Sequence, residues 1–250
     1  MRLVSLCPSM TELLFELGRG GDLVGVTEWC VHPASGVASI EKVGGTKTPR
    51  VDRIVALRPD LVFLNREENR EEDARALEEA GLRLHLSMPR DPAETASMVR
   101  SVGAAVERVA PAERLARAIE RESGRVARRA AGRPPVRFAC LIWRRPWMAA
   151  GAGTYLDALL GLAGGVNLFA GRGSRYPEIE LDELAGAGPD TVLLTTEPYP
   201  FEERDADRLA LETGLPRRSF QVVDGESLTW HGARMPAGIA AAERAVEAAR

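Results

Sequence analysis

Apolar and polar positions in this chain form short alternating runs. Leu3–Leu6 predicts a strand that ends at Cys7-Pro8. Ser9-Met10-Thr11-Glu12 has capping-box spacing with Ser9 as N-cap, Leu13, Leu14 and Leu17 give the following helix one apolar face, and Gly18 stops it. Leu23–Val26, Leu61–Leu64 and Leu82–Leu86 predict further strands, with helices at Asp52–Leu57 and Glu71–Ala80 between them. This strand–helix order predicts an α/β lobe over 1–90 with a mainly parallel sheet.

The pattern changes over 91–134, which has no strand signal. It reads as two helices interrupted at Pro111, and the second, Ala112–Ala131, carries Leu115, Ile119 and Val126 on one side. Its arginines outnumber its glutamates, which leaves two readings: an anionic partner, or, as the favoured one, a solvated helix whose cations lie toward the C-terminal end of the dipole. From Val136 the alternation resumes, so 135–250 reads as a second α/β lobe. Strands are predicted at Val136–Ile142, Thr191–Leu194 and Phe220–Val223, and helices from Gly153-Thr154, over Asp205–Leu211 and from Pro236 onward. The halves echo each other: Arg58-Pro59-Asp60-Leu61-Val62-Phe63-Leu64 parallels Gly188-Pro189-Asp190-Thr191-Val192-Leu193-Leu194, and an acidic helix follows each. Two related α/β lobes with a ligand cleft between them are expected.

Composition narrows the function. Hydrophobic residues make up 45% and charged residues 28%, and 33 Lys+Arg against 36 Asp+Glu leave a net charge of −3. That balance argues against nucleic acid as a partner. No apolar run approaches the ~18 residues of a membrane span. Three cysteines do not make a disulfide framework. The run that starts at Leu3 leaves no room for a signal segment, so the expected location is cytoplasmic if Met1 is the native start, and periplasmic or cell-surface if a signal was trimmed.

Candidate chemistry collects in the loops after the strands. These hold Cys7, Pro8 and Ser9; then Glu28, Trp29, Cys30 and His32; then Trp143, Trp147 and Tyr176; and finally Trp230 and His231. All four tryptophans fall there, as a large, flat, partly apolar ligand requires. Cys7 precedes a helix N-terminus, which can lower a thiol pKa. A structural role, ligand contact, and catalysis or metal binding all stay open for Cys7 and Cys30. No Cys-x-x-Cys or His-Glu-x-x-His supports a metal site, and phosphate-loop and nucleophile-elbow motifs are absent. Cys140 reads as core and His85 as structural. His231 is expected to face the cleft as a hydrogen-bonding group rather than a metal ligand.

Several segments in order carry a resemblance: Leu3–Phe15, Val24-Gly25-Val26-Thr27, Arg53–Val62, and Gly164-Gly165-Val166-Asn167-Leu168-Phe169. Together they resemble the helical-backbone periplasmic substrate-binding proteins of ABC importers, and within them the vitamin B12-binding branch. The resemblance implies two α/β lobes bridged by one long helix, here Ala112–Ala131. It implies non-catalytic capture of cobalamin or a related corrinoid, with no intrinsic cofactor, and delivery to an importer permease. Lobe-surface acids would dock that permease, by position Glu71 or Glu72 on the first lobe and Glu202 or Glu203 on the second. Thr46 stands near where an aromatic ligand contact is expected. Alternatives are a haem or ferric-siderophore binding protein, a cytoplasmic tetrapyrrole carrier and, in another class, a chelatase-like enzyme.

Overall fold

The computed structural model describes residues 1–250. The first sheet contains β1 (Leu3–Ser5), β2 (Leu23–Val26), β3 (Glu41–Lys42), β4 (Leu61–Asn65) and β5 (Leu84–Ser87) in the order β3-β2-β1-β4-β5, and every pairing is parallel. Parallel strands need crossovers, and the helices supply them: α1 (Pro8–Glu16), α2 (Ala34–Val37), α3 (Val51–Ala56) and α4 (Glu71–Glu79). β1 and β4 are buried along their whole length, which explains their unbroken apolar runs. Val4, Leu6, Val43, Ile54, Val62, Leu64 and Leu77 form the core of this unit. Gly25 is required by close packing, because a Cβ there would lie 2.8 Å from Leu57 Cδ1 and 3.0 Å from Val43 Cγ1.

Two details, one in the first lobe and one in the helical stretch after it, differ from the sequence expectation. Ser9 is not the N-cap of α1. Cys7 occupies that position without a side-chain capping bond, and Pro8 begins the helix, where a missing N–H costs nothing. The helical stretch also breaks earlier than Pro111. α5 (Pro92–Ala105) ends before Glu107, which has a positive φ of 57°, and α6 (Val109–Ala130) then runs for 22 residues. Pro111 sits in the first turn of α6, where amide hydrogens have no helical partner to lose. Arg100 of α5 and Arg117 of α6 both bind Glu113, at 2.6 and 2.7 Å, and hold its carboxyl down to about 2.

The chain divides into two compact units. The first comprises Met1–Pro89, Ala93–Ala118 and His231–Ala233. The second comprises Arg90–Pro92, Ile119–Trp230 and Arg234–Arg250. α6 is thus common to both, and α5 is counted with the first unit.

The second sheet is built on β6 (Val136–Trp143). β9 (Thr191–Thr195) and β10 (Phe220–Val223) continue it in parallel on one side. On the other side β7 (Met148–Ala149) pairs antiparallel with the end of β6, and β8 (Gly165–Asn167) pairs parallel with its start. Its helices are α7 (Tyr155–Leu162), α8 (Leu181–Ala187), α9 (Glu203–Thr213), α10 (Gly225–Thr229) and α11 (Met235–Glu247). Thr154 caps α7, its hydroxyl accepting from the Asp157 amide at 3.1 Å. A reciprocal capping box does occur, at Glu202 and Asp205 on α9. α10 lies between β10 and Trp230, so Trp230 and His231 follow the last strand, as expected, with a short helix intervening.

Candidate functional site

In open α/β sheets the chemistry belongs at the carboxyl ends of the strands. In the first unit these ends are joined by a buried polar network. Asn69 donates from Nδ2 to Leu6 O and to Thr46 O, both at 2.9 Å, and its Oδ1 accepts the Asn65 amide at 2.9 Å. Asn65 Oδ1 in turn accepts the Glu67 amide at 2.8 Å. One asparagine therefore fixes the loops after β1, β3 and β4. Buried carbonyls and amides need such partners, which is why amides rather than apolar residues occupy these positions. Thr46 is buried here and gives the network its carbonyl.

The two cysteines of this face meet the same hydroxyl. Thr11 Oγ1 lies 3.0 Å from Cys30 Sγ and 3.2 Å from Cys7 O. Thr27 Oγ1 lies 3.1 Å from Cys30 Sγ, and Ser9 Oγ lies 3.3 Å from Cys7 Sγ. Both thiols are free and buried. Burial pushes the Cys7 thiol up to about 12, with the neighbouring Glu68 carboxylate acting in the same direction. The expectation of a lowered pKa at this helix N-terminus is not met: desolvation by burial is the larger effect, although the Ser9 hydroxyl and the Met10 amide favour the thiolate. Cys30 is also raised by burial, with the Thr11 and Thr27 hydroxyls opposing the shift. Burial disfavours the thiolate form of both cysteines. No group of three or more His, Cys, Asp or Glu side chains is arranged to hold a metal ion.

Around this buried base stands an exposed rim. Trp29 is 64% exposed, beside an exposed Glu28, and its Nε1 lies 3.5 Å from where a Cβ on Gly45 would be. Lys47 donates to Glu67 O at 2.5 Å. On the α4 side, Asn65 and Asn69 also line a pocket of about 400 Å³ with Arg66, Arg70, Glu71 and Leu86. His32 is half-buried. His231 is half-buried in this unit too, and the following Gly232 packs on Leu13. His231 thus belongs with the first unit, although it follows the last strand of the second. His85 is structural in character: its Nε2 lies 3.0 Å from Ser101 Oγ, its ring lies 5.3 Å from that of Phe63, and burial lowers its pKa.

The face of the second unit is aromatic and ionic. Trp143, the last residue of β6, is 40% exposed and meets Tyr199 edge-on at 5.8 Å. Trp147 is held more firmly. It stacks on Phe201 at 6.1 Å, and the Arg144 guanidinium lies 5.6 Å from its ring. Arg144 also binds Asp205 at 3.2 Å, and both side chains are largely buried. Between them Arg145 has a positive φ of 68° and is exposed. Tyr176 is half-buried under the Arg175 guanidinium at 5.7 Å. Trp230 is only 7% exposed; its indole N–H donates to Glu197 Oε2 at 2.9 Å, and Arg234 lies 4.8 Å from its ring. Of the four tryptophans, Trp29 and Trp143 therefore have surface available to a ligand as they stand, while Trp230 is a core residue.

The four acids picked for docking are all exposed, and each forms an ion pair within its own unit. Glu71 pairs with Arg75 and Glu72 with Arg70 at 3.3 Å, while Glu202 pairs with Arg204 at 3.0 Å and Glu203 with Arg217. Sequence reasoning missed Asn65 and Asn69. The signal was an asparagine at the end of an otherwise apolar strand and a second one four residues later, in a position where a polar side chain must be satisfied from within.

The periplasmic binding protein family model matches residues 3–215. The vitamin B12-binding protein of Vibrio cholerae is 24% identical over 196 residues, covering 78% of this chain and 70% of that protein. Among solved structures, the periplasmic vitamin B12-binding protein of Vibrio cholerae superposes with a TM-score of 0.84 at 19% identity, covering 99% of this chain and 97% of the other. A periplasmic heme-binding protein from Pseudomonas aeruginosa gives 0.83 at 25% identity, with 98% and 92% covered.

Proposed function

The chain belongs to the periplasmic binding protein family, and from that premise we propose that it captures cobalamin or a related corrinoid in the periplasm and delivers it to an ABC importer. The observation that carries this reading is the pair of exposed indoles at strand carboxyl ends, Trp29 in the first unit and Trp143 in the second. A corrin ring is broad, flat and apolar on its faces, and indole surface is what such a ring buries well. The Glu28 amide donates to Gly44 O at 2.9 Å and the Cys30 amide to Thr27 O at 3.1 Å, which holds the Trp29 loop in place, so little ordering entropy is lost on binding.

Haem is the second reading, and Arg145 favours it. An exposed guanidinium held in a left-handed turn two residues from Trp143 suits a carboxylate, and haem carries two propionates where cobalamin carries neutral amides. Equilibrium titration followed by tryptophan fluorescence separates the two. Cobalamin should quench the parent, and Trp29→Ala and Trp143→Ala should each weaken binding by ~1–3 kcal/mol, the scale of burying an aromatic side chain. Haem binding that Arg145→Gln weakens, with no response to cobalamin, would replace the first reading by the second. Parent-like affinity in both tryptophan variants would remove the indole platforms from the site.

A further inference from the structure

α6 is amphipathic, and its two sides differ in a way that burial does not explain. Ala112, Ala116, Ile119 and Val126 are buried. On the opposite side Arg114, Arg121 and Arg128 are exposed. They recur every seven residues, which on an α-helix keeps them within ~20° per step and about 10 Å apart along the axis. Arg117 adjoins the stripe but is engaged with Glu113. The acids Glu113, Glu120 and Glu122 lie roughly 80–100° round the helix from the stripe, so the outward line carries one sign of charge. Elsewhere on the same helix the guanidiniums find carboxylates: Arg125 binds Glu122 and Glu243, both at 2.6 Å, and Arg129 binds Glu243 at 3.2 Å. Arg114, Arg121 and Arg128 pair with none.

We infer that the Arg114–Arg121–Arg128 stripe of α6 is a contact surface for anionic lipid headgroups at the face of a bilayer. A straight row of outward cations about 20 Å long suits a planar array of negative charge better than a single anion, which would need converging donors. The net charge of −3 does not oppose this. Salt screens charges beyond ~8 Å at physiological ionic strength, so a bilayer senses the stripe and not the whole molecule. Each arginine near such a surface contributes about a fivefold gain in partitioning.

The test is co-sedimentation of the full chain with vesicles of one part phosphatidylglycerol to three parts phosphatidylcholine, and with phosphatidylcholine alone. The parent should bind only the anionic vesicles, and salt should release it. The combined substitution Arg114→Gln, Arg121→Gln and Arg128→Gln should lower binding at least ~10-fold. The combined substitution Arg58→Gln, Arg83→Gln and Arg218→Gln, which removes the same charge from exposed sites elsewhere, should leave it within about twofold. Circular dichroism confirms that both variants are folded. Equal losses in the two variants, no binding by the parent at low salt, or equally stripe-dependent binding to duplex DNA would each overturn the lipid assignment.

Discussion

The two units start each sheet in the same way and finish it differently. In the first, the Arg2 amide donates to Asp60 Oδ2 at 2.7 Å, the Asp60 amide returns to Arg2 O at 2.8 Å, and the Arg2 side chain reaches Leu57 O. In the second, the Arg137 amide donates to Asp190 Oδ2 at 2.7 Å, the Asp190 amide returns to Arg137 O at 2.9 Å, and the Arg137 side chain reaches Ala187 O. These turns lie at the amino ends of the paired strands. At the carboxyl ends the likeness stops: the first unit has amides, hydroxyls and thiols bonded in a buried net, and the second has stacked rings and an arginine–carboxylate pair. The entry to each sheet is repeated because the same residue types, an arginine at the start of one strand and an aspartate before its neighbour, close the same turn. The carboxyl ends differ in what their side chains bond to: Asn69, Thr11 and the thiols in the first unit, and Trp147, Phe201, Arg144 and Asp205 in the second.

The sharpest way to break the comparison is to remove one buried anchor from each unit. Asn69→Ala leaves two carbonyls and an amide without their partner and should cost ~2–4 kcal/mol. Trp230→Ala removes a buried indole that is hydrogen-bonded to Glu197 and should cost ~3–5 kcal/mol. Urea unfolding followed by circular dichroism reads both. Fluorescence titration of Asn69→Ala in the absence of urea should also show weaker ligand binding, since its loops carry the strand-end face. A value under ~1 kcal/mol for either would make that residue peripheral.

The thiols test whether the two interiors are equally dry. Cys7 in the first unit and Cys140 in the second are both pushed up to about 12 by burial. A raised folded-state pKa contributes stability that is whole below the unfolded value, near ~8.5, and is lost as pH climbs toward the folded value. Stability should therefore fall progressively above about pH 9, and Cys7→Ala and Cys140→Ala should each flatten part of that fall by similar amounts. Chemical unfolding between about pH 8 and 10.5 measures the slopes. At pH 8 a thiol-labelling reagent should find no native cysteine and all three in denaturant. Rapid native labelling of Cys7 would show an open strand-end face.

Much of this architecture was legible in the chain itself, because β1, β4 and β9 are buried apolar runs with helical periods between them. The repeat was legible for the same reason: Arg58–Leu64 and Gly188–Leu194 encode a local turn. What resisted reading was set by distant partners. The burial of Trp230 depends on Glu197 and Arg234, and the assignment of His231 to the first unit depends on Gly232 packing against Leu13. Asn69 depends on carbonyls 63 and 23 residues away in sequence. A capping box was expected at Ser9 and found at Glu202, since Pro8 already starts the first helix.

The twin turns carry a smaller prediction with two signs. Asp60→Ala and Asp190→Ala each remove one charge-assisted bond to a backbone amide and should cost about the same, ~1 kcal/mol. The residue before the shared proline should behave oppositely. Arg58 holds a positive φ of 47° that glycine tolerates without strain, and Gly188 holds 58° as glycine. Arg58→Gly should be neutral or stabilise by up to ~1 kcal/mol, and Gly188→Arg should destabilise by ~1–2 kcal/mol. Thermal unfolding decides. Equal signs at the two positions would show that the turns are not equivalent.

The smallest effect on stability is expected at the acids assigned to permease docking, one from each unit. Glu71 and Glu203 are exposed, and each pairs with an arginine of its own unit, Arg75 and Arg217. Exposed pairs contribute little, so Glu71→Lys and Glu203→Lys should each change unfolding free energy by no more than ~0.5 kcal/mol. Ligand affinity should be unchanged by Glu203→Lys, which lies off the indole-bearing loops, and titration of Glu71→Lys checks whether the pocket that Glu71 shares with Asn65 and Asn69 takes part in binding. If these acids meet basic residues of an importer, reversing both should slow association with the cognate permease and reduce its salt dependence, because rim charges act on the encounter more than on the bound state. Surface plasmon resonance at two salt concentrations measures this. Reversal of one residue alone should have an intermediate effect if both units dock. An effect at Glu71 with none at Glu203 would show that the units differ in docking as well as at their strand ends. No effect from the double reversal would leave both as solvated ion pairs.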